Sequence, residues 1–413
     1  MSAPAQLADR RIPAGDDFLA SEELRALTPA ELIRRTTALK PLIAAHAREC
    51  EMLRRPVDAV WSALRKTGIF YHFVPKLYGG LEFDVDSFID AMLPIGEACA
   101  STGWVAAFCV EHNWMLSQFP KALQDETFGG EFPYIIAPGA TMPPGTAKPV
   151  EGGYRLTGRW KWGTGVMHAD WVLVTGMVAG ETPPRVLFFA IPAGEIEVPD
   201  VWHVDGMAGT GSNDIVARDV FIPEHRVMDM GDMRAGKAYG ARLYDNPIYR
   251  MPMLPFLAVT AAIPAVGAAR SAVAAFRERL SVRNMHGTDQ KQADKPAAQM
   301  RLAKADILTK NAEMLVRHAA RANVALGACD KPAEVSERIE LRLFVAEAMA
   351  QCREAISTLC EASGAGAHFL DNPIQRALRD VNVMSSHVVY DLDSAREQHG
   401  RALIGLPPNS PVV

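Results

Sequence analysis

The 413-residue chain has no strong excess of charge of either sign. It carries 43 Lys and Arg against 48 Asp and Glu, which gives a formal net charge of −5 and a pI near 6.1. Proteins that bind nucleic acids or anionic membranes present clustered positive charge. The composition therefore gives no electrostatic argument for a nucleic acid or a membrane surface as a partner.

Cysteine and long apolar runs are also scarce. The six cysteines are far apart and form no CxxC pair, a pattern that favours reduced thiols over a disulfide framework or a zinc site. No segment contains the ~18 uninterrupted apolar residues that a membrane span requires. The first 18 residues lack the apolar core of a secretory signal. We therefore expect a cytoplasmic protein with no membrane segment.

Two motif classes are missing. No GxGxxG stretch follows a strand and opens a helix with an acidic residue ~20 positions later, so we expect no nicotinamide-binding site. No HExxH or comparable His/carboxylate spacing occurs, so we expect no metal. Any redox chemistry would therefore need a cofactor other than a nicotinamide held by this motif or a metal held by these spacings.

Three compositional zones divide the chain and predict an α+β fold. Residues 1–132 form an N-terminal helical domain, in which a Thr-Pro pair at Thr28 marks a helix start. Residues 133–230 alternate Gly and Pro with short β-branched or aromatic runs and predict a small β-barrel or sandwich. A connector at 231–249 leads to 250–413, where long apolar stripes at steps of three and four predict an antiparallel four-helix bundle.

One strand of the central zone ends unusually. "YRLTGRWKW" alternates an apolar, aromatic face with a basic face, and "GTG" follows at residues 163–165. Thr164 ends the apolar face, and its glycine neighbours allow another group to approach the backbone closely. This arrangement suits a flat ligand with a polar edge.

Several motifs, taken in order, resemble the acyl-CoA dehydrogenase superfamily. They are "VPKLYGGLEFDVDSF", "GGYRLTGRWKWGTGVMHADWVLV", "RDVFIPEHRV", "SVRNMHG" and "EASGAGAHFLDNPIQRALRDVNV". The stretches "GMAGTGSNDIV" and "MSSHVVYDLDSAREQHG" are most similar to one branch, the oxygenase components of two-component flavin-dependent monooxygenases. That branch includes 4-hydroxyphenylacetate 3-hydroxylases, secosteroid hydroxylases and indole oxygenases.

The resemblance implies an activity, a cofactor and partners. An enzyme of this branch takes reduced FMN or FAD from an NAD(P)H:flavin reductase and lets it react with O2 to a flavin C4a-hydroperoxide. It then hydroxylates an aromatic or heteroaromatic small molecule such as a phenol or an indole. The resemblance also implies a homotetramer.

Catalytic roles are implied for His112, His387 and Thr164. A neutral imidazole can take the proton of a phenol, whose unperturbed pKa is ~10. The branch places one His in the substrate pocket and another over the flavin, which correspond to His112 and to His387 in the final helix. Thr164 would donate its hydroxyl or its backbone N–H to the flavin edge. Which His acts as the base stays open, as does a purely structural role for either.

Further cofactor contacts are implied at both ends of the chain. Trp104 would stack on the flavin, Gly163 would let it approach, and the loop at Pro138 offers only backbone groups. Arg283 resembles an arginine that meets the flavin phosphate from a neighbouring subunit. The backbone of Gly364, Ala365 and Gly366 would meet the ribityl or phosphate region.

The substrate pocket is expected to include Phe108, Trp114 and Met207.

Two other functions stay open. In many acyl-CoA dehydrogenases a Glu acts as the base at the place that corresponds to Val388, so a dehydrogenase would need an atypical base here. A non-catalytic protein that uses its helical bundle for assembly is the third possibility.

Overall fold

The computed structural model describes residues 19–130 and 132–410. Seven α-helices precede the sheet. They are α1 (Ser21–Ala26), α2 (Pro29–Ala38), α3 (Lys40–Leu53), α4 (Asp58–Thr67), α5 (Val85–Ala98), α6 (Ala100–Leu116) and α7 (Lys121–Phe128). The Thr28 hydroxyl accepts the Glu31 N–H at 3.2 Å, which confirms the helix start that the sequence predicted. The helical run expected up to Pro120 is interrupted at Cys99, which has extended backbone angles and separates α5 from α6.

The central zone forms one sheet. Its strands are β1 (Gly139–Val150), β2 (Gly153–Trp160), β3 (Trp171–Val178), β4 (Val186–Pro192), β5 (Ile215–Pro223) and β6 (Val227–Asp229). Their spatial order is β5-β2-β1-β3-β4-β6; only β1 and β3 run parallel. Trp160 is buried as the alternation predicted, but the strand ends there. Trp162 is 56% exposed and therefore does not pack in the core of the sheet.

Two short helices, α8 (Met230–Arg234) and α9 (Tyr239–Leu243), lie in the connector. The last zone contains α10 (Met253–Val282), α11 (Pro296–Ala328), α12 (Val335–Ser363), α13 (Pro373–Ser385) and α14 (Leu392–Leu403). The stripe of small and apolar residues from Leu302 to Leu326 lies on α11, where Ala305, Ala312 and Ala319 are fully buried. Gly364 ends α12 with φ of +64°, in the region that favours glycine.

The two helical zones share one apolar core, and the sheet has a second one. Helix α10 is long and apolar enough to cross a membrane by length and composition, yet 78% of its most apolar window is buried inside the protein. Within the described residues, no other helix passes that test. Helix α10 is therefore the central element of the shared core.

Glycines bring α5 and α6 very close to α10. A Cβ at Gly267 would lie 2.6 Å from the backbone N of Glu97, and one at Gly96 would lie 2.8 Å from the Cα of Pro264. A Cβ at Gly103 would lie 2.9 Å from the Cα of Gly96. Because these contacts are with backbone atoms, larger side chains would push the helices apart. The glycines thus fix the position of α6, which carries most of the candidate site.

Candidate active site

A row of aromatic rings follows one face of α6. Trp104, Phe108 and His112 are four residues apart, so their side chains neighbour one another on the helix. The Trp104 and Phe108 ring centroids are 4.8 Å apart, and those of Phe108 and His112 are 5.7 Å apart. The ring of His387 lies 6.0 Å from that of Trp104. The structure therefore brings His112 and His387 to the two ends of one aromatic row.

His387 does not lie in the final helix, so that part of the prediction is wrong. It precedes a short 3₁₀ turn, Val388–Tyr390, between α13 and α14. The Val389 N–H donates to Nδ1 of His387 at 3.3 Å, and the hydroxyl of Tyr390 donates to the Ala258 carbonyl at 2.8 Å. These bonds tie the turn to α10 and hold the imidazole toward Trp104.

Thr164 is the centre of a buried hydroxyl network. The indole N–H of Trp104 donates to its Oγ1 at 3.3 Å, and the Ser212 hydroxyl lies 3.1 Å from the same atom. The Thr210 hydroxyl is 2.7 Å from that of Ser212. Both residues belong to the loop "GTGSND", which lies within the stretch "GMAGTGSNDIV" that resembles the monooxygenase branch. The structure places two of its hydroxyls beside Thr164.

The two positions on either side of Thr164 require glycine for different structural reasons. A Cβ at Gly163 would meet the Ile215 side chain at 2.8 Å. Gly165 has φ of +84°, in the left-handed region that favours glycine, and a Cβ there would lie 3.0 Å from the sulfur of Cys109. Pro138 has no N–H, and its carbonyl accepts the Leu173 N–H at 2.9 Å. Its contact with a flavin stays a prediction.

His112 is buried, neutral at pH 7 and open at one nitrogen. Burial lowers its pKa to about 4, against the opposing effect of a hydrogen bond to the Ala137 backbone. Nδ1 has no partner among the described residues, so the bond to Ala137 must use Nε2. With a hydrogen on Nε2, the lone pair of Nδ1 is free to accept a proton.

Glu111 was missed by sequence reasoning. It is fully buried, and neither carboxyl oxygen has a hydrogen-bond partner among the described residues. Its Oε1 lies 3.7 Å from Nε2 of His112, beyond hydrogen-bonding distance. Burial raises the pKa of the carboxyl well above its usual range. The available clue was a carboxylate in the middle of an otherwise uncharged helix, since Glu is almost never fully buried without a partner.

Met207 and Trp114 were both expected in the substrate pocket, and the structure separates them. Met207 is buried with φ of +57°, its N–H donates to Asp380 at 2.6 Å, and its sulfur lies 3.8 Å from the Ser101 hydroxyl. Trp114 packs on Phe256 of α10 with ring centroids 4.8 Å apart, and its indole N–H donates to the Ile248 carbonyl at 2.6 Å. On an α-helix it points about 160° away from His112. Trp114 is thus a core residue.

The predicted phosphate-binding segments lie together but far from the histidines. A Cβ at Gly366 would be 3.6 Å from Nη1 of Arg283 and 3.7 Å from Nη1 of Arg279. Arg279, which sequence reasoning missed, donates to the Ser363 carbonyl and has a buried Nε without a partner among the described residues. Arg283 follows α10, about 37 Å along its axis from Ala258, which binds Tyr390. Arg283 and the Tyr390 contact of the turn that carries His387 therefore lie near opposite ends of α10.

We expect the protein to lose stability in acid. Burial lowers the pKa to about 4 in His72, His112 and His387, and to about 3 in His168. Because these folded-state values lie below the unfolded value of 6.5, the associated stability is present above pH 6.5 and is lost as pH falls toward 4, by about 3 kcal/mol per imidazole. The thermal midpoint, measured by circular dichroism, should fall between pH 7 and pH 5.

A variant outside the aromatic row controls for this effect. In His72→Leu one of the four imidazoles is gone, so the drop in thermal midpoint should be smaller than in the wild type. Burial raises the pKa of Asp380 to about 6, which opposes the trend because its protonation favours the folded state as pH falls. An unchanged midpoint down to pH 5 would contradict the assignment of neutral buried imidazoles.

The residues present fit a flavin. The aromatic row, the hydroxyls around Thr164 and the unpartnered polar atoms of His112 and Glu111 provide a stacking surface, polar contacts and proton acceptors at one buried place. The arginines at Gly366 suit a phosphate. No group of three or more His, Cys, Asp or Glu in the described ranges could hold a metal ion.

Comparison with known proteins agrees with this chemistry. Residues 259–392 match the family model "Acyl-CoA dehydrogenase, C-terminal domain", which defines the class of fold. A pigment production hydroxylase of Rhodococcus sp. is 36% identical over 94% of this chain and 100% of its own length. An FADH(2)-dependent resorcinol hydroxylase, oxygenase component, of Rhizobium sp. is 32% identical over 91% of this chain and 95% of its own.

A solved structure is similarly close. XiaF from Streptomyces sp., in complex with FADH2 and glycerol, has a TM-score of 0.87 and 32% identity, and the match covers 95% of this chain and 98% of XiaF. The chain therefore belongs to the family of oxygenase components of two-component flavin-dependent monooxygenases. The family assignment confirms the resemblance stated from the sequence.

Proposed function

We propose that the protein hydroxylates an aromatic or heteroaromatic small molecule with reduced flavin and O2. The carrying observation is the pair of buried, neutral imidazoles, His112 and His387, at the two ends of the row formed by Trp104 and Phe108. When bound, reduced flavin supplies the two electrons with which one oxygen atom of O2 enters the product and the other forms water. The relatives' names favour this function over an acyl-CoA dehydrogenase.

Each side chain has a role in this proposal. Nδ1 of His112 takes the proton of the substrate hydroxyl or N–H, which makes the ring more electron-rich before oxygen transfer. Thr164 and Ser212 hold the flavin edge, and Trp104 covers its ring. His387 lies on the side of Trp104 away from His112 and keeps the other end of the row closed to water.

The protein needs further partners in this function. The relatives are called oxygenase components, which supports a separate reductase that supplies the reduced flavin. We propose FAD rather than FMN, because XiaF and the resorcinol hydroxylase are described with FADH2. We also propose a homotetramer in which Arg279 and Arg283 bind the flavin phosphates of a neighbouring protomer, since they lie far from the imidazoles of their own. The cytoplasmic location stays a prediction.

A substrate screen tests the function. The purified protein is supplied with FAD or FMN, NADH and a generic flavin reductase, and phenols and indoles are examined by mass spectrometry. We expect at least one product heavier by a single oxygen atom, formed only when the protein is present. Reduced flavin that is consumed without such a product in any reaction would refute the proposal.

A further inference from the structure

The carboxyl of Glu111 lies within the candidate site. On α6 it is seven residues after Trp104, nearly two full turns, so both side chains leave the helix in almost the same direction. Its Oε1 is 3.7 Å from the imidazole of His112. The carboxyl therefore lies beside His112, on the side of α6 that also carries Trp104.

The Glu111 carboxyl lacks the hydrogen-bond donors that buried carboxyls normally have. Both of its oxygens are buried without a donor among the described residues, and no Lys or Arg pairs with it there. Two other buried acids each have a donor on at least one oxygen: Asp380 accepts the Met207 N–H, and Oδ2 of Asp214 accepts from Arg159, although its Oδ1 has no partner among the described residues. A buried acceptor without a donor is costly, and an unsatisfied one in a native structure calls for an explanation. A bound molecule that brings a donor would provide it.

We propose that Glu111 binds the substrate and selects aromatic rings that carry a second hydrogen-bond donor, a hydroxyl or an amino group, near the one that gives its proton to His112. The inference rests on the proposed function. Because the carboxyl and the imidazole are adjacent, both donors belong to the same end of the substrate. A protonated carboxyl still accepts a hydrogen bond through its carbonyl oxygen, more weakly than a carboxylate does, so the selection has the same direction in either protonation state.

Paired substrates of equal shape test this selection. In 3-methylphenol and 1,3-dihydroxybenzene a methyl group and a hydroxyl occupy the same ring position, and 2-methylphenol and 1,2-dihydroxybenzene repeat the comparison at the neighbouring position. We expect kcat/KM of the wild-type enzyme to be at least about tenfold higher for the hydroxyl member of one pair, because a polar site left unpaired disfavours the methyl analogue. Equal values within both pairs would overturn the proposal.

Variants assign the preference to the carboxyl. Glu111→Leu should reduce the ratio within the pair to about one or below, whereas Glu111→Gln keeps an accepting oxygen and should retain part of it. Val110→Ala, at the adjacent core position, is the matched control: it should lower the thermal midpoint and leave the ratio unchanged. A ratio that survives in Glu111→Leu would refute the role of Glu111.

A binding measurement completes the design. Calorimetric titration of the same pairs, with reduced flavin present and O2 excluded, should show the same preference in dissociation constant. If no probe gains an oxygen atom with the wild-type enzyme, the proposed function fails. If probes are hydroxylated but Glu111→Leu changes neither the affinity ratio nor the kcat/KM ratio, only the substrate inference fails.

Discussion

His112→Gln is expected to reduce the formation of hydroxylated product by about a hundredfold or more, the usual contribution of a positioned general base. The imidazole is buried, its Nδ1 has no partner among the described residues, and its pKa of about 4 keeps it neutral at pH 7, so the Nδ1 lone pair is available to the substrate. A glutamine amide has similar bulk and cannot take that proton. Product formed per reduced flavin consumed, followed by mass spectrometry and peroxide assay, gives the measurement.

The product formed from O2 shows whether His112→Gln has lost only the base or has failed to fold. In a folded His112→Gln protein, reduced flavin should still be oxidised, with H2O2 released in place of hydroxylated product. His46→Gln is the control, since His46 lies partly exposed on α3 beside Glu49 and outside the site. Undiminished hydroxylation by His112→Gln would remove this imidazole from the mechanism.

Arg283→Gln is expected to weaken the binding of reduced flavin by about tenfold to a hundredfold, the loss typical of a charge-assisted hydrogen bond to phosphate. Arg283 is exposed at the end of α10, close to Gly366, and makes no ion pair among the described residues. Anaerobic ultrafiltration gives the dissociation constant. Arg396→Gln, which removes an exposed ion pair with Glu347, should leave the affinity unchanged.

Mixing two impaired variants, at a flavin concentration too low for Arg283→Gln to bind it, tests whether the site is shared between protomers. If Arg283 serves a neighbour's flavin, mixed tetramers of His112→Gln and Arg283→Gln contain some sites with both wild-type residues and should regain part of the activity. If each protomer used its own Arg283, no site would be complete and no activity would return. Light scattering provides the oligomeric state, and a monomer would contradict the shared site.

Local sequence patterns predict much of the fold. Side-chain periodicity, which is a property of neighbouring residues, predicts the apolar stripe on α11 and the apolar runs of β3, β4 and β5. A local Thr-Pro signal likewise predicts that α2 starts at Thr28. The family resemblance depends on motif order, and it led to His112, His387 and Thr164 as candidates. His387 and Thr164 lie next to Trp104, and His112 lies beyond Phe108 in the same aromatic row; their catalytic roles stay predictions.

Tertiary structure decided the rest, because packing between distant segments leaves little trace in local sequence. Trp114 looked like a pocket residue, but its helix face turns it toward α10. Ser212 reaches Thr164 through a loop that returns 48 residues later along the chain. The carboxyl oxygens of Glu111 lack a hydrogen-bond donor because none of the described segments that pack around them places an N–H or O–H within reach. The sequence by itself determined most helices and strands and, through its motifs, the class of chemistry. Only the three-dimensional packing determined which polar atoms in the site stay without a hydrogen-bond partner. Such pairing depends on distances between segments that are far apart in the chain.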